Sequence, residues 1–371
     1  MKFFINKLRE YVIKIIFYSC YGFTVLYSQD VPIEYYGRDS FLIEGTATVD
    51  SLKESPYDRL PVSYKSIVRE PVWELSKNSA GLSVRFNTNS SLIRIKWQVL
   101  NDANMNHMTE TGIKGVDLYF NNSGFWQYLG TGRPYNKMKN DQLIISNMPP
   151  EMREYKLYLP LYDGIEELEI GIDSISVIEK PIIHTQKPIV FYGTSITQGG
   201  CASRPGMAHT NIISRKLGIN CINYGFSGNG RMESEIATLI ADIDAYFYVI
   251  ECMANVTIDQ IKQNTIPLVN IIRDKRPRTP ILFVENIMFE SGYLDTSVNF
   301  ELTEEDKELK HQYNIMVHNG IQDLFYIEGE GAIGRDHEGT VDGVHFTDLG
   351  FLRYADFLIT QFKQIGLVKK E

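Results

Sequence analysis

Cysteine is scarce in this sequence, with 4 residues among 371. Cys20 lies in the amino-terminal segment. The other three, Cys201, Cys221 and Cys252, are an odd number without the paired spacing of a metal site. A disulfide framework is therefore not expected. Each of the three adjoins an apolar segment, so we predict buried thiols, with one disulfide and one free cysteine as the alternative.

Positive charge and long apolar runs are also in short supply. Lys and Arg together number 37 against 46 Asp and Glu, which gives a formal charge of −9 and a pI of about 5.4. This balance argues against nucleic-acid binding, which relies on basic surface to neutralise phosphates. The apolar stretch over residues 15–27 is too short and too interrupted to cross a bilayer, so no membrane span is predicted.

The amino-terminal segment has the composition of an export signal. Four basic residues precede residue 15, the apolar stretch follows, and it ends just before Ser28. We predict a signal peptide over residues 1–28 and a mature protein in the bacterial periplasm or outside the cell. A buried N-terminal helix and a lipid anchor at Cys20 are the alternatives, although residues 17–19 fit a lipid-attachment motif poorly.

Length and patterning indicate two domains after the signal. Residues 29–183 carry short alternating segments separated by turn signals, which is typical of an all-β sandwich or jelly roll. Residues 184–371 instead alternate apolar strands with helical periods, which predicts an α/β domain with a parallel sheet. The clearest predicted strands span residues 82–86, 92–97, 115–120, 156–159 and 168–172 in the first domain, and 187–192, 221–224, 246–250, 281–284 and 324–327 in the second.

A serine stands where open α/β sheets place their reactive groups. The predicted strand over residues 187–192 is followed by Gly193, and Ser195 comes two residues later. Ligands of such sheets bind beyond the carboxyl ends of the strands. Far along the chain, Asp342 and His345 lie three residues apart. Together these side chains offer a nucleophile, a base and an orienter for the base, the minimum set for acyl transfer through a serine ester.

Four separated segments resemble, in the same order, those of the SGNH/GDSL hydrolase family. They are Gly193-Thr194-Ser195-Ile196, residues 223–229, residues 251–255 and Asp342-Gly343-Val344-His345. Thr194 stands where many members have aspartate, but this position is not among the catalytic ones. The resemblance implies a flavodoxin-like three-layer α/β domain with a parallel sheet.

The resemblance also implies a role for each matching residue. Ser195 is expected to be the nucleophile, His345 the base and Asp342 the residue that orients the base. The backbone N–H groups of Ser195 and Gly228 and the side-chain amide of Asn255 are expected to bind the oxyanion.

The first domain carries its own resemblance, to the GxDLY-type esterases in which an SGNH domain follows a β domain. Residues 115–119 read Gly-Val-Asp-Leu-Tyr, and residues 200–210 look like a second signature of the subgroup. Asp117 and Tyr119 are expected to hold the β domain together rather than bind a ligand.

Three further residues are predicted to contact substrate. Arg204 and His209 follow the candidate nucleophile closely, and Glu285 follows a predicted strand end. The alternative for Arg204 and His209 is that they are ordinary surface residues.

Two rival assignments carry less weight. Ser227 is a second candidate nucleophile, but its segment lacks the final glycine of a nucleophile elbow. Asp342 and His345 form a possible metal cluster with Asp336 and His337. Because no further His or Cys cluster supports it, neither a metal nor a cofactor is predicted.

The sequence thus predicts an exported serine esterase that removes small acyl groups, with acetyl foremost, from a carbohydrate. Its expected partner is a small-molecule or polysaccharide acyl ester. One alternative is a carbohydrate-binding protein with an inert hydrolase domain. Others are a hydrolase of lipid esters, thioesters or peptidoglycan acetyl groups.

Overall fold

The computed structural model describes residues 32–182 and 186–369. The predicted signal peptide, Cys20 and the predicted domain boundary at residues 183 and 184 lie outside these ranges. In the part of the chain that is described, no helix has both the length and the apolar character needed to cross a bilayer. Cys201, Cys221 and Cys252 are buried and free, as predicted.

The first half of the described chain is a β-sandwich. Its strands are β1 (Ile33–Tyr36), β2 (Leu42–Glu44), β3 (Ser83–Thr88), β4 (Ile93–Val99), β5 (Val116–Asn122), β6 (Phe125–Gly132), β7 (Lys139–Ile145), β8 (Arg153–Tyr158), β9 (Ile165–Asp173) and β10 (Ile178–Glu179). One sheet has the order β1-β9-β4-β7, and the other has the order β10-β3-β8-β5-β6 with β2 beside β3. Pairs such as β3–β8 and β4–β9 are antiparallel.

Alternation along the strands builds the core of the sandwich. In β4, Ile93, Ile95 and Trp97 are buried, while the residues between them are only partly so. They pack with Val84 of β3 and Ile170 of β9 in one apolar cluster. The expected antiparallel β domain is confirmed.

The second half contains a five-stranded parallel sheet. Its strands are β11 (Ile189–Gly193), β12 (Cys221–Gly225), β13 (Phe247–Glu251), β14 (Ile281–Val284) and β15 (Leu324–Ile327), in the order β12-β11-β13-β14-β15. This is the flavodoxin-like order, so the predicted fold class is confirmed. Gly193 is in register with Gly225 and with Glu251, which brings the ends of three strands to one edge.

Helices cover both faces of this sheet. The α-helices of the described residues are α1 (Glu70–Ser76), α2 (Glu110–Ile113), α3 (Ser195–Gln198), α4 (His209–Leu217), α5 (Ser234–Ala241), α6 (Ile258–Lys275), α7 (Thr296–His318) and α8 (Asp348–Gln364). Val190 and Tyr192 of β11 pack into a layer with α5, α6 and α7. Ile189 and Phe191 pack into the opposite layer with α4 and α8. Because successive side chains of β11 point into opposite buried layers, this strand is apolar throughout.

Residues from the first half extend both of these layers. Leu60 and Trp73 belong to the cluster on one face of the parallel sheet. Leu161 and Tyr162 belong to the cluster on the other face. The parallel sheet is therefore enclosed partly by side chains that precede it in the sequence.

Candidate active site

The candidate nucleophile directly follows the tight turn between β11 and α3. Ser195 is the first residue of α3, and the hydroxyl of Thr194 accepts a 3.3 Å hydrogen bond from the backbone N–H of Ile196. Glycine is required at position 193 because a Cβ there would lie 2.0 Å from Oγ1 of Thr197. Ser195 is thus fixed at the edge of the sheet, with only 7% of its surface exposed.

The structure brings Ser195, His345 and Asp342 into one hydrogen-bonded chain. Oγ of Ser195 lies 2.8 Å from Nε2 of His345, and Nδ1 of His345 lies 2.8 Å from Oδ2 of Asp342. A carboxylate accepts, so Nδ1 carries the proton and Nε2 is left to accept from the serine hydroxyl. Thr347 caps α8 two residues after His345, which fixes the end of this loop.

The carboxylate of Asp342 is held in its charged form. Partial burial raises its pKa, but hydrogen bonds from the His345 ring and from the backbone N–H groups of His345 and Val344 outweigh burial. The net result is a pKa below the usual range of an aspartate. Asp342 is therefore suited to orient an imidazole and to stabilise its protonated form.

The expected oxyanion donors lie on the loops after β12 and β13. Gly228 has a φ of +64°, and open space surrounds its missing Cβ. The side-chain amide of Asn255 donates to the carbonyl of Asn229, which joins the two loops. Among the described residues, the backbone N–H groups of Ser195 and Gly228 have no acceptor. They are therefore available to a ligand.

Arg204 lies in a contact between the two halves of the chain. Its guanidinium donates to Oδ2 of Asp117 at 2.8 Å and to the hydroxyl of Tyr119 at 2.6 Å. The backbone N–H of Gly206 donates to the same carboxylate. Asp117 accepts a hydrogen bond from Thr131 within the β domain, as predicted. Asp117 and Tyr119 also bind the loop after the nucleophile, which the sequence does not predict. Substrate contact by Arg204 remains a prediction.

His209 lies beneath the site rather than at its surface, with none of its area exposed. Its Nε2 is 2.8 Å from Oε1 of Glu251. The same carboxylate group accepts from Thr197 at 2.8 Å and from Tyr354 at 2.9 Å. This buried network supports the turn that carries Ser195, and it leaves the His209 ring no route to a substrate in this conformation.

Glu285 follows β14 directly and lines a cavity of about 160 Å³ with Asp306 and His337. Burial raises the pKa of Glu285, against the hydrogen bonds donated by Tyr326 and Gly329. Ser195 is not among the residues that line this cavity. Glu285 is thus near the strand-end edge without touching the candidate nucleophile.

The rival assignments receive no support from side-chain geometry. Asp336 pairs with Arg353 at 2.7 Å, and His337 pairs with Glu290 at 2.9 Å, so neither joins the Asp342–His345 pair. In the described residues, Ser227 makes no hydrogen bond to a histidine; its backbone N–H donates to Gln198.

Sequence reasoning missed contributions from the first half of the chain. The ring of His107 lies 5.7 Å from that of His345, and the hydroxyl of Tyr162 donates to the carbonyl of Ser195 at 3.4 Å. Arg59 donates to the carbonyls of Gly225 and Asn223 at the end of β12. No local motif marks these residues, because their contacts join segments far apart in sequence.

A cavity of about 350 Å³ adjoins Asn255. Its walls combine apolar side chains with two carboxylates, and they include Val256, Phe289, Val298, Leu302, Glu301 and Glu305. Its size suits a small ligand.

Comparison with known proteins gives two family matches. A model described as the GDSL-like lipase/acylhydrolase family matches residues 186–363. A model described as the N-terminus of SGNH hydrolase-type esterases matches residues 33–178. No curated protein matches the chain.

Solved structures extend the similarity over most of the chain. A GDSL-like lipase from Bacteroides ovatus is 35% identical, with 92% of this chain and 100% of that chain covered and a TM-score of 0.87. A salicylyl-acyltransferase from a tetracycline biosynthetic pathway is 16% identical over 91% and 98%, with a TM-score of 0.76. A family two carbohydrate esterase from Clostridium thermocellum, solved with cellohexaose, is 13% identical over 78% and 94%, with a TM-score of 0.58. The last two share the fold.

Proposed function

The chain belongs to the GDSL-like lipase/acylhydrolase family and is an ester-hydrolysing enzyme, and from that premise we propose that Ser195, His345 and Asp342 are its catalytic triad. We propose as substrates small acyl esters of carbohydrate, acetyl esters foremost. The observation that carries the proposal is the hydrogen-bonded chain from Oγ of Ser195 through His345 to Asp342, with 2.8 Å at both steps.

The proposed reaction is acyl transfer through a serine ester. Oγ of Ser195 attacks the carbonyl carbon while its proton passes to Nε2 of His345. His345 then gives this proton to the leaving sugar oxygen, and an acyl-serine remains. Water, deprotonated by His345, attacks the acyl-serine and releases the carboxylic acid, while the proton returns to Ser195. Asp342 stabilises the imidazolium in both steps.

Three N–H groups are proposed to stabilise the negative oxygen of each tetrahedral intermediate. They are the backbone N–H of Ser195, the backbone N–H of Gly228 and the side-chain amide of Asn255. The amide of Asn255 has two hydrogens, so one can stay on the carbonyl of Asn229 while the other binds the oxyanion. One such donor is typically worth about 2.7–4 kcal/mol in the transition state.

Two observations support a carbohydrate ester over a fatty acyl ester. The cavity beside Asn255 is only partly apolar, since Glu301 and Glu305 line it. Their carboxyl groups can hydrogen-bond to sugar hydroxyls, and burying them against an alkyl chain is unfavourable. The fold is shared with a carbohydrate esterase solved with cellohexaose. Export by the predicted signal over residues 1–28 would bring the enzyme to extracellular polysaccharide.

Acetate release from acetylated polysaccharides and from an activated acetyl ester tests the proposal. Ser195→Ala and His345→Ala are each expected to lower kcat by about 10⁶-fold, as in other serine hydrolases. Ser227→Ala, which removes the rival hydroxyl, is the matched control and should retain activity. Retained turnover in purified Ser195→Ala would reject the assignment.

The alternatives give different outcomes. An active-site-directed fluorophosphonate should label Ser195, whereas an inert carbohydrate-binding protein would not react. Faster hydrolysis of long-chain esters or thioesters than of acetylated glycans would move the substrate to those classes and leave the triad in place.

A further inference from the structure

Four metal-ligating side chains converge on the proposed catalytic imidazole. One donor atom from each of His107, Cys201, Asp342 and His345 lies within 4.8 Å of the others. His107 is on the loop after β4, Cys201 is on the turn after α3, and the other two are on the loop before α8. Of these four residues, the proposed hydrolysis uses only Asp342 and His345, so the placement of His107 and Cys201 needs another explanation.

The buried thiol of Cys201 differs from those of Cys221 and Cys252 in its hydrogen bonding. The thiols of Cys221 and Cys252 lie 3.8 and 3.5 Å from the carbonyl oxygens of Ile219 and Tyr192. Within the described ranges, the thiol of Cys201 has no hydrogen bond, although only 7% of the residue is exposed. Its backbone is also left-handed, with a φ of +71°. This conformation is uncommon for a residue other than glycine, and it concentrates at functional sites.

The His107 ring also presents a free nitrogen. Its Nδ1 lies 2.9 Å from the side-chain oxygen of Asn106, and Nε2 has no hydrogen-bond partner within residues 32–182 and 186–369. The ring faces that of His345 at 5.7 Å between centroids.

We propose that His107, Cys201, Asp342 and His345 form a zinc-class cation site that blocks hydrolysis when it is occupied; the inhibitory part rests on the proposed function. Two imidazoles, a thiolate and a carboxylate are the donors that zinc prefers. Zinc–ligand distances of about 2.0–2.3 Å place tetrahedral donors roughly 3.3–3.7 Å apart, so a contraction of about 1 Å closes the site. The thiol coordinates as thiolate and releases its proton to solvent.

A cation bound at this site and catalysis by His345 exclude each other. Both nitrogens of His345 are already in use, Nε2 toward Ser195 and Nδ1 toward Asp342. A cation on Nε2 removes the base from the nucleophile, and a cation on Nδ1 displaces the carboxylate that orients the ring. Either arrangement leaves Ser195 without an activated hydroxyl.

Metal binding is tested without reference to activity. Ser195→Ala keeps all four donors, so Co²⁺ added to this variant should give the intense thiolate-to-cobalt absorption of a cysteine-ligated site, and Zn²⁺ should displace it. The double variant Ser195→Ala/Cys201→Ser should lack this absorption, while Ser195→Ala/Cys221→Ser should retain it. Absence of the absorption from Ser195→Ala overturns the site, whatever the esterase activity proves to be.

Inhibition is tested on the active enzyme in a buffer that does not chelate metals. Zn²⁺ should abolish hydrolysis of an activated acetyl ester, and a chelator should restore it. With each variant measured against its own metal-free rate, Cys201→Ser and His107→Ala should raise the half-inhibitory Zn²⁺ concentration by about tenfold or more, and Cys221→Ser and His318→Ala should not. Equal sensitivity of all four variants, or cobalt binding without inhibition, overturns the inhibitory role.

Discussion

Asp306 illustrates how burial controls the charge of a single side chain near the strand-end edge. Its carboxylate accepts a 2.9 Å hydrogen bond from the backbone N–H of Asn286. Burial raises the pKa of Asp306 to about 8, and the neighbouring Glu285 and Glu305 add to the rise. Burial likewise raises the pKa of Glu305 to about 7. Both groups are thus protonated in the native protein at pH values where an unfolded chain has released the protons.

Stability is therefore expected to fall as the pH rises. The unfolded chain loses the Asp306 proton near pH 4, whereas the native protein loses it near pH 8. The contribution of Asp306 to the free energy of unfolding is therefore full below pH 4 and is lost as the pH rises to 8. Asp306→Asn stays neutral and still accepts from Asn286. Its unfolding free energy, from urea titrations at pH 5 and pH 8, should decline less than that of the wild type. The exposed Asp274→Asn is the matched control. An equal decline in Asp306→Asn and the wild type would contradict the raised pKa of Asp306.

At the scale of single residues, short motifs made the geometry of the candidate site predictable. Ser195, Asp342 and His345 are each set in a local pattern, and the structure joins them at hydrogen-bond distance. Arg204 and His209 lie in residues 200–210, which also resemble a family signature. In the structure, however, Arg204 pairs with Asp117 and His209 pairs with Glu251. Proximity in sequence to a nucleophile does not reveal which way a side chain points, because burial and the partner across the fold decide this.

At the scale of elements, the loop after β12 depends on a residue from the first half of the chain. Arg59 is 1% exposed and donates at 2.6 Å to the carbonyls of Gly225 and Leu75. Its guanidinium also packs 4.8 Å from the ring centre of Phe226. Because Gly228 follows in the same loop, Arg59 anchors the backbone that presents this N–H group.

Replacing Arg59 is expected to slow catalysis more than it weakens substrate binding. Arg59→Met keeps the length of the side chain but removes the donors, and a displacement of the loop by about 1 Å can cost up to about a hundredfold in rate. We expect kcat of the folded variant to fall while KM changes little. Arg85→Met, which removes a buried arginine of the β-sandwich, is the control. If both variants lose stability alike and neither changes kcat, Arg59 has no positioning role.

Elements with continuous apolar or clearly alternating sequence were predictable, and those governed by distant contacts were not. The strands of the parallel sheet are buried on both faces, which leaves a strong signal in β11 and β13. In contrast, β6 is mostly exposed or half-buried, so it lacks the alternation of a half-buried strand. The sequence pattern predicts this helix only over residues 303–323, but α7 begins at Thr296 because the side chain of Asp295 caps it.

At the scale of the whole molecule, the hydrolase half is incomplete without the residues before it. Trp73 is 4% exposed and Leu161 is fully buried, each within an apolar layer of the parallel sheet. Deleting the first half would expose both layers to water at roughly 25 cal/mol per Å² of apolar surface.

Residues 186–369 expressed alone are therefore expected to aggregate or to lack fixed side-chain packing. Near-ultraviolet circular dichroism and thermal unfolding, compared with residues 32–369, measure this. A cooperative transition and undiminished ester hydrolysis by the shorter chain would contradict the expectation.

The contact between Arg204 and Asp117 has an evolutionary consequence. Asp117 has no exposed surface, so replacing Arg204 leaves a buried carboxylate without its ion-pair partner, at a cost of about 3–5 kcal/mol. A lineage is not expected to tolerate one substitution without the other. The signatures over residues 115–119 and 200–210, separated by more than 80 residues, should therefore be inherited as a pair. A chimera that joins halves of divergent homologues should keep its fold only where this pair is matched.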